Sequence, residues 1–65
     1  MKSEDYIKLD SFLKLVGAVQ TGGEAKMLIQ DGNVKVNGSI ETRRGKKLYK
    51  NDKVEFNGEF FIVGE

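Results

Sequence analysis

The sequence predicts an α+β fold: two short N-terminal helices packed on a small antiparallel sheet of hairpins. Three observations carry this. Leu9, Phe12, Leu13 and Val16 recur at one-face helical spacing; Thr21-Gly22-Gly23-Glu24 opens a second helix; and two Asn-Gly pairs, Asn37-Gly38 and Asn57-Gly58, each sit between alternating apolar residues.

Taken in order, Tyr6-Ile7-Lys8-Leu9 reads as a short first strand, and Asp10 as the cap of the helix that follows. A carboxylate there would accept a free backbone N–H and suit the positive helix end. Gly17 is the expected stop. In the second helix the Thr21 hydroxyl is expected to reach forward to the Glu24 amide while the Glu24 carboxylate reaches back. Ala25, Leu28 and Ile29 then form its buried face, with Met27 as flexible filler at the border and Gly32 closing it in the left-handed conformation.

Val34-Lys35-Val36 and Ser39-Ile40 flank the first Asn-Gly turn; Val54-Glu55-Phe56 and the run from Phe60 to Val63 flank the second. Both residues of Asn-Gly tolerate the positive φ of a type I′ turn, which makes hairpins of these segments. Leu48-Tyr49-Lys50 adds a candidate strand ahead of a turn at Asn51-Asp52.

The 65 residues are expected to form one domain, with disorder expected at residues 1–5. There is no cysteine, so no disulfide or thiolate metal site supplements the core, and no His to serve as a general base. The acids Asp10, Glu24, Asp31, Glu41 and Asp52 are dispersed. These absences point away from an enzyme, and no cofactor or metal is expected. No apolar run approaches the roughly 20 residues that span a bilayer, and the polar start lacks the apolar centre of a signal peptide. A cytoplasmic monomer is the expectation, with no membrane partner.

The net charge of +1 hides segregation. Residues 1–34 carry four Lys against five acids; residues 35–53 carry five Lys and two Arg against Glu41 and Asp52; residues 54–65 carry three Glu and no base. The middle segment is thus suited to an anionic partner. Its sharpest feature is Arg43-Arg44-Gly45-Lys46-Lys47, where a planar guanidinium fork suits phosphate and Lys adds point charge. Gly22-Gly23 at a helix start can either make a tight interhelical turn or let a phosphate approach the free N–H groups. Lys26 points outward beside that start. Among Tyr6, Tyr49, Phe56, Phe60 and Phe61, most must be core, and Tyr49 beside the basic run is the best candidate for stacking on a base. Phe60 and Phe61 point to opposite faces of a strand, so one is expected to be exposed.

Lys8-Leu9-Asp10, Leu13, Gly17, Gly23-Glu24-Ala25-Lys26, Leu28-Ile29 and Gly32-Asn33-Val34-Lys35-Val36-Asn37-Gly38 together resemble the S4-like RNA-binding domain, the alpha-L RNA-binding motif. Lys50-Asn51-Asp52-Lys53-Val54 is similar to that family's Gly-Asp-x-Ile/Val turn, and the likeness covers about residues 7–57. Short stand-alone bacterial members share the Gly-Gly-Glu-Ala-Lys and Arg-Arg-x-x-Lys-Leu segments. The resemblance implies a non-catalytic protein that grips structured RNA, ribosomal RNA in ribosome association or large-subunit assembly. By position it implies contacts from Lys8, Gly22, Gly23, Lys26, Lys35, Asn37, Arg43, Arg44, Lys46 and Lys47.

Two departures stand out: many members have Ser-Arg at Thr21-Gly22-Gly23, and Asn51 replaces a glycine. No pseudouridine synthase or tRNA synthetase domain accompanies the motif within these residues, so binding without chemistry is expected. The alternatives are a DNA-binding accessory protein in replication or repair, and a protein adapter using Phe60 or Phe61.

Overall fold

A computed structural model describes residues 5–64. The expectation of disorder at residues 1–5 lies outside the described residues for 1–4. In chain order the elements are β1 (Ile7–Lys8), α1 (Leu9–Leu15), α2 (Gly22–Gln30), β2 (Val34–Val36), β3 (Ser39–Ile40), β4 (Lys47–Leu48), β5 (Lys53–Phe56) and β6 (Glu59–Ile62). The α+β architecture is the one the sequence predicts.

The strands form two antiparallel sheets. The hairpins build a four-stranded sheet of order β3-β2-β5-β6, while β1 pairs with β4 in a separate two-stranded ladder. Both Asn-Gly turns take the two positive φ values of a type I′ hairpin: 52° and 87° at Asn37-Gly38, 55° and 80° at Asn57-Gly58. They join Val36 to its partner Ser39 and Phe56 to its partner Glu59. The late turn at Asn51-Asp52 is also as expected, with Asn51 at φ 78°.

One hydrophobic core lies between the helices and the sheets. Leu9, Phe12 and Leu13 of α1, Ala25 and Ile29 of α2, Val34 and Val36 of β2, Val54 of β5 and Leu48 of β4 are all buried in it. The strand alternation turns Phe61 inward, where its ring meets Phe12 edge-on at 6.5 Å, and leaves Phe60 58% exposed on the outer face. Met27 corrects an expectation: it is 67% exposed, because Ala25 and Ile29 already fill the space beneath α2 and Leu28 covers its margin.

The start of α1 also differs from the reading of Asp10 as a cap. The cap position falls two residues earlier, so the helix begins at Leu9, and Lys8 in the N-cap position makes no side-chain bond. Asp10, inside the first turn, still takes one free donor, its Oδ1 accepting the Ser11 N–H at 2.7 Å, and two further N–H groups are capped from afar. The Leu9 N–H donates to the Lys46 carbonyl at 2.9 Å, and the Asp10 N–H to the Arg44 carbonyl at 3.1 Å. The basic loop thereby satisfies N–H groups that a helix start leaves free. Helix α2 is capped as predicted by the Thr21 hydroxyl, which accepts from the Glu24 N–H at 3.1 Å. The Glu24 carboxylate reaches back to the Gln20 N–H at 3.0 Å, one residue beyond Thr21.

Candidate nucleic-acid interface

The site is built on the β1–β4 ladder and the loop that leads into it. Ile7 pairs with Leu48 and Lys8 with Lys47. Leu48 is fully buried and Ile7 packs beside it. Side chains alternate along a strand, so Tyr6, Lys8, Lys47 and Tyr49 share the opposite, outward face. The two tyrosine rings lie 6.0 Å apart, and the Lys47 Nζ sits 4.9 Å from the Tyr6 ring centre. Lys8 and Lys47 are like charges set directly opposite one another, an arrangement that destabilises a ladder. An anion bridging them would remove that cost.

The loop before β4 is held by its backbone. Besides capping α1, it is closed by the Lys46 N–H donating to the Arg43 carbonyl at 3.2 Å. Beyond it, the Asp52 carboxylate accepts the Tyr49 N–H at 2.8 Å. A hollow of about 500 Å³ opens between these supports, lined by Arg43, Gly45, Lys46, Lys47 and Tyr49.

The two arginines are already partnered. Arg43 Nε donates to Glu41 Oε2 at 3.0 Å, and Arg44 Nε to Asp10 Oδ2 at 3.2 Å. The charge segregation along the chain is therefore softened in space, since Glu41 and Asp10 each cancel one cation. The Arg43 bond, helped by the Arg43 N–H and the charges of Arg43 and Lys46, holds the Glu41 carboxyl below its ordinary range; partial burial opposes this. Arg43 is raised in turn, chiefly by the same bond. A lowered carboxyl contributes stability that is present above its unfolded pKa, and that stability is lost as pH falls through the lower folded value. This brace accordingly loosens only under acid conditions and persists at neutral pH.

Lys8, Lys26, Lys35, Lys46 and Lys47 form no ion pair with an acid among the described residues. The structure brings Lys8, Arg43, Arg44, Lys46 and Lys47 to one ladder and loop. Lys26 is exposed on α2. Lys35 lies on the outer face of the large sheet, in register with Ile40 on one side and Glu55 on the other. Asn37 is engaged internally: its Oδ1 accepts the Lys53 N–H at 2.9 Å and its Nδ2 donates to Asp52 at 3.2 Å. At Gly22 and Gly23 an added Cβ would meet nothing within 4 Å, so packing within the chain does not require glycine there.

The ladder's pattern was present in the sequence as a mirrored pair, Tyr6-Ile7-Lys8 and Lys47-Leu48-Tyr49. Antiparallel pairing through the apolar centres sets Tyr against Tyr and Lys against Lys. Nothing in the sequence around Tyr6 ties it to the basic run; this pairing brings it there.

Comparison with known proteins agrees with this architecture. The S4 domain family model matches residues 2–64. A Bacillus subtilis (strain 168) protein named "Probable ribosome maturation protein RlbA" is 44% identical over 54 residues, covering 83% of this chain and 76% of the relative. An Escherichia coli (strain K12) protein named "Putative RNA-binding protein YbcJ" is 40% identical over 53 residues, covering 82% and 76%. With the fold, the capped second helix and the Val-x-Val-Asn-Gly hairpin all in place, the chain belongs to the S4 domain family.

Proposed function

We propose that this protein is a non-catalytic, cytoplasmic RNA-binding protein that docks on structured RNA, namely ribosomal RNA during large-subunit assembly. The observation that carries the reading is the cluster of Lys8, Lys46 and Lys47, without acid partners among the described residues, on a ladder and loop fixed by backbone hydrogen bonds. Such a rigid cationic edge recognises phosphate positions, and hence backbone shape, more than sequence. Membership in the S4 family and the names of the two relatives support RNA as the partner. Lys26 and the open start of α2 supply a second, flanking contact, with Gly22 and Gly23 leaving room for a close backbone approach. Asn37 acts as a brace beneath the site.

The test is a salt titration of affinity for a folded ribosomal RNA fragment. Log affinity is expected to fall linearly with log salt, by roughly 0.7–0.9 per phosphate contact. Salt-independent binding, or displacement of the RNA by duplex DNA at equal concentration, would overturn the reading. Sedimentation with separated ribosomal subunits then tests the choice of RNA.

Glu41→Gln supplies an internal check. The amide keeps an oxygen for the Arg43 N–H but releases the guanidinium from its ion pair. Tighter RNA binding and a salt slope steeper by up to about 0.9 are expected. An unchanged slope would show that Arg43 stays outside the interface.

A further inference from the structure

We infer that the outer face of the β1–β4 ladder is a seat for one unpaired nucleotide, which stacks its base on Tyr49, beside the Tyr6 ring tilted at 56° to it, and sets its flanking phosphates on Lys8, Lys46 and Lys47. This rests on the RNA-binding reading and deepens it, by specifying an RNA with a bulge, loop or end as the ligand.

Four observations converge. Tyr6 and Tyr49 remain 44% and 41% exposed although the buried Leu48 lies just beneath them. The hollow of about 500 Å³ beside Tyr49 is of the size that holds small ligands, and four of its five lining residues are Arg43, Lys46, Lys47 and Tyr49. Lys47 already rests at the Tyr6 ring, so cation and aromatic surface are presented together. Finally, Tyr49 is anchored on both sides, by the ladder at Leu48 and by the Asp52 carboxylate on its own N–H. A platform held in this way loses little freedom on binding.

The chemistry selects the ligand. Tyrosine rings offer stacking surface, which needs an exposed base face, and a continuous duplex buries its base faces against each other. Phosphates alone would not use the tyrosines. An unpaired nucleotide uses both halves of the patch, and it supplies the anion that the opposed Lys8 and Lys47 lack.

The chain has two Tyr and no Trp, so its ultraviolet emission comes from these two rings. The experiment compares three probes at one salt concentration: a continuous RNA duplex, the same duplex with a single bulged adenosine, and adenosine monophosphate. The bulged RNA is expected to bind roughly 5- to 150-fold more tightly than the continuous duplex, the range that one base stacked on an aromatic side chain supplies. It is also expected to quench the tyrosine emission. Tyr49→Leu should abolish most of this preference, and Tyr49→Phe, which keeps the ring, should retain it.

Equal affinity for the two duplexes would overturn the seat and leave the RNA-binding reading standing. Failure to bind either RNA would overturn both. A full preference in Tyr49→Leu would remove the stacking role, and monophosphate binding as tight as the bulged RNA would replace an RNA seat by a mononucleotide site.

Discussion

Leu48→Ala is expected to remove a large share of the domain's stability. Leu48 exposes no surface and occupies the core between the helices and both sheets, although its own strand has only two residues. Truncating a buried leucine costs about 2–5 kcal/mol, from lost transfer energy and the cavity left behind. A 65-residue domain at about 0.05–0.15 kcal/mol per residue has only about 3–10 kcal/mol to lose. Without cysteines, no crosslink restrains the unfolded chain. Urea denaturation followed by circular dichroism checks this: the midpoint should drop by about 2 M or more, if the slope is near 1 kcal/mol per molar. Leu15→Ala, at a site 72% exposed, serves as control and should stay within about 0.5 kcal/mol of the parent. If Leu48→Ala were equally mild, the ladder would not be packed on the core. The consequence reaches function, because Leu48 is the inward residue between Lys47 and Tyr49.

The elements legible in the sequence are those whose causes are local. A capping hydroxyl three residues before its amide, a glycine at a helix end and an Asn-Gly turn all act within a few residues, and the structure has each where the sequence places it. What escaped involves partners far apart in the chain. The Asp10 carboxylate takes the Ser11 N–H, as a local reading expects, yet the Leu9 and Asp10 N–H groups go to the carbonyls of Lys46 and Arg44, more than thirty residues away. The same distance hides the Arg44–Asp10 pair, so a count of charges overstates how much positive field the arginines leave free. For the candidate site, the basic run was visible and its division into paired arginines and unpaired lysines was not. The β1–β4 ladder lies in between. Its mirrored triplets are in the sequence, but two-residue strands are too short for periodicity to identify.

That division makes the second large effect. Lys46→Ala with Lys47→Ala is expected to lower the salt slope of RNA binding by about 1.4–1.8, two phosphate contacts' worth, with a matching loss of affinity at low salt. Stability should hardly change. The variant loses the Lys47–Tyr6 contact, worth about 0.5–1 kcal/mol at an exposed site, but it also relieves the repulsion between Lys8 and Lys47. The carbonyl of Lys46 that caps α1 belongs to the backbone and survives the substitution. Arg43→Ala with Arg44→Ala removes the same formal charge and is expected to weaken binding with a smaller change in slope, because each guanidinium must share itself with a carboxylate it already holds. The fold should also survive that change, since an exposed ion pair is worth about 0–1 kcal/mol. The comparison of the two double variants decides the matter better than either alone, because far-field charge is equal in both. A steeper loss of slope in the arginine variant would mean that the Glu41 and Asp10 pairs open to release Arg43 and Arg44 onto phosphate, and the grip would then lie in the loop itself. An equal slope in the lysine variant and the parent protein would remove Lys46 and Lys47 from the interface altogether.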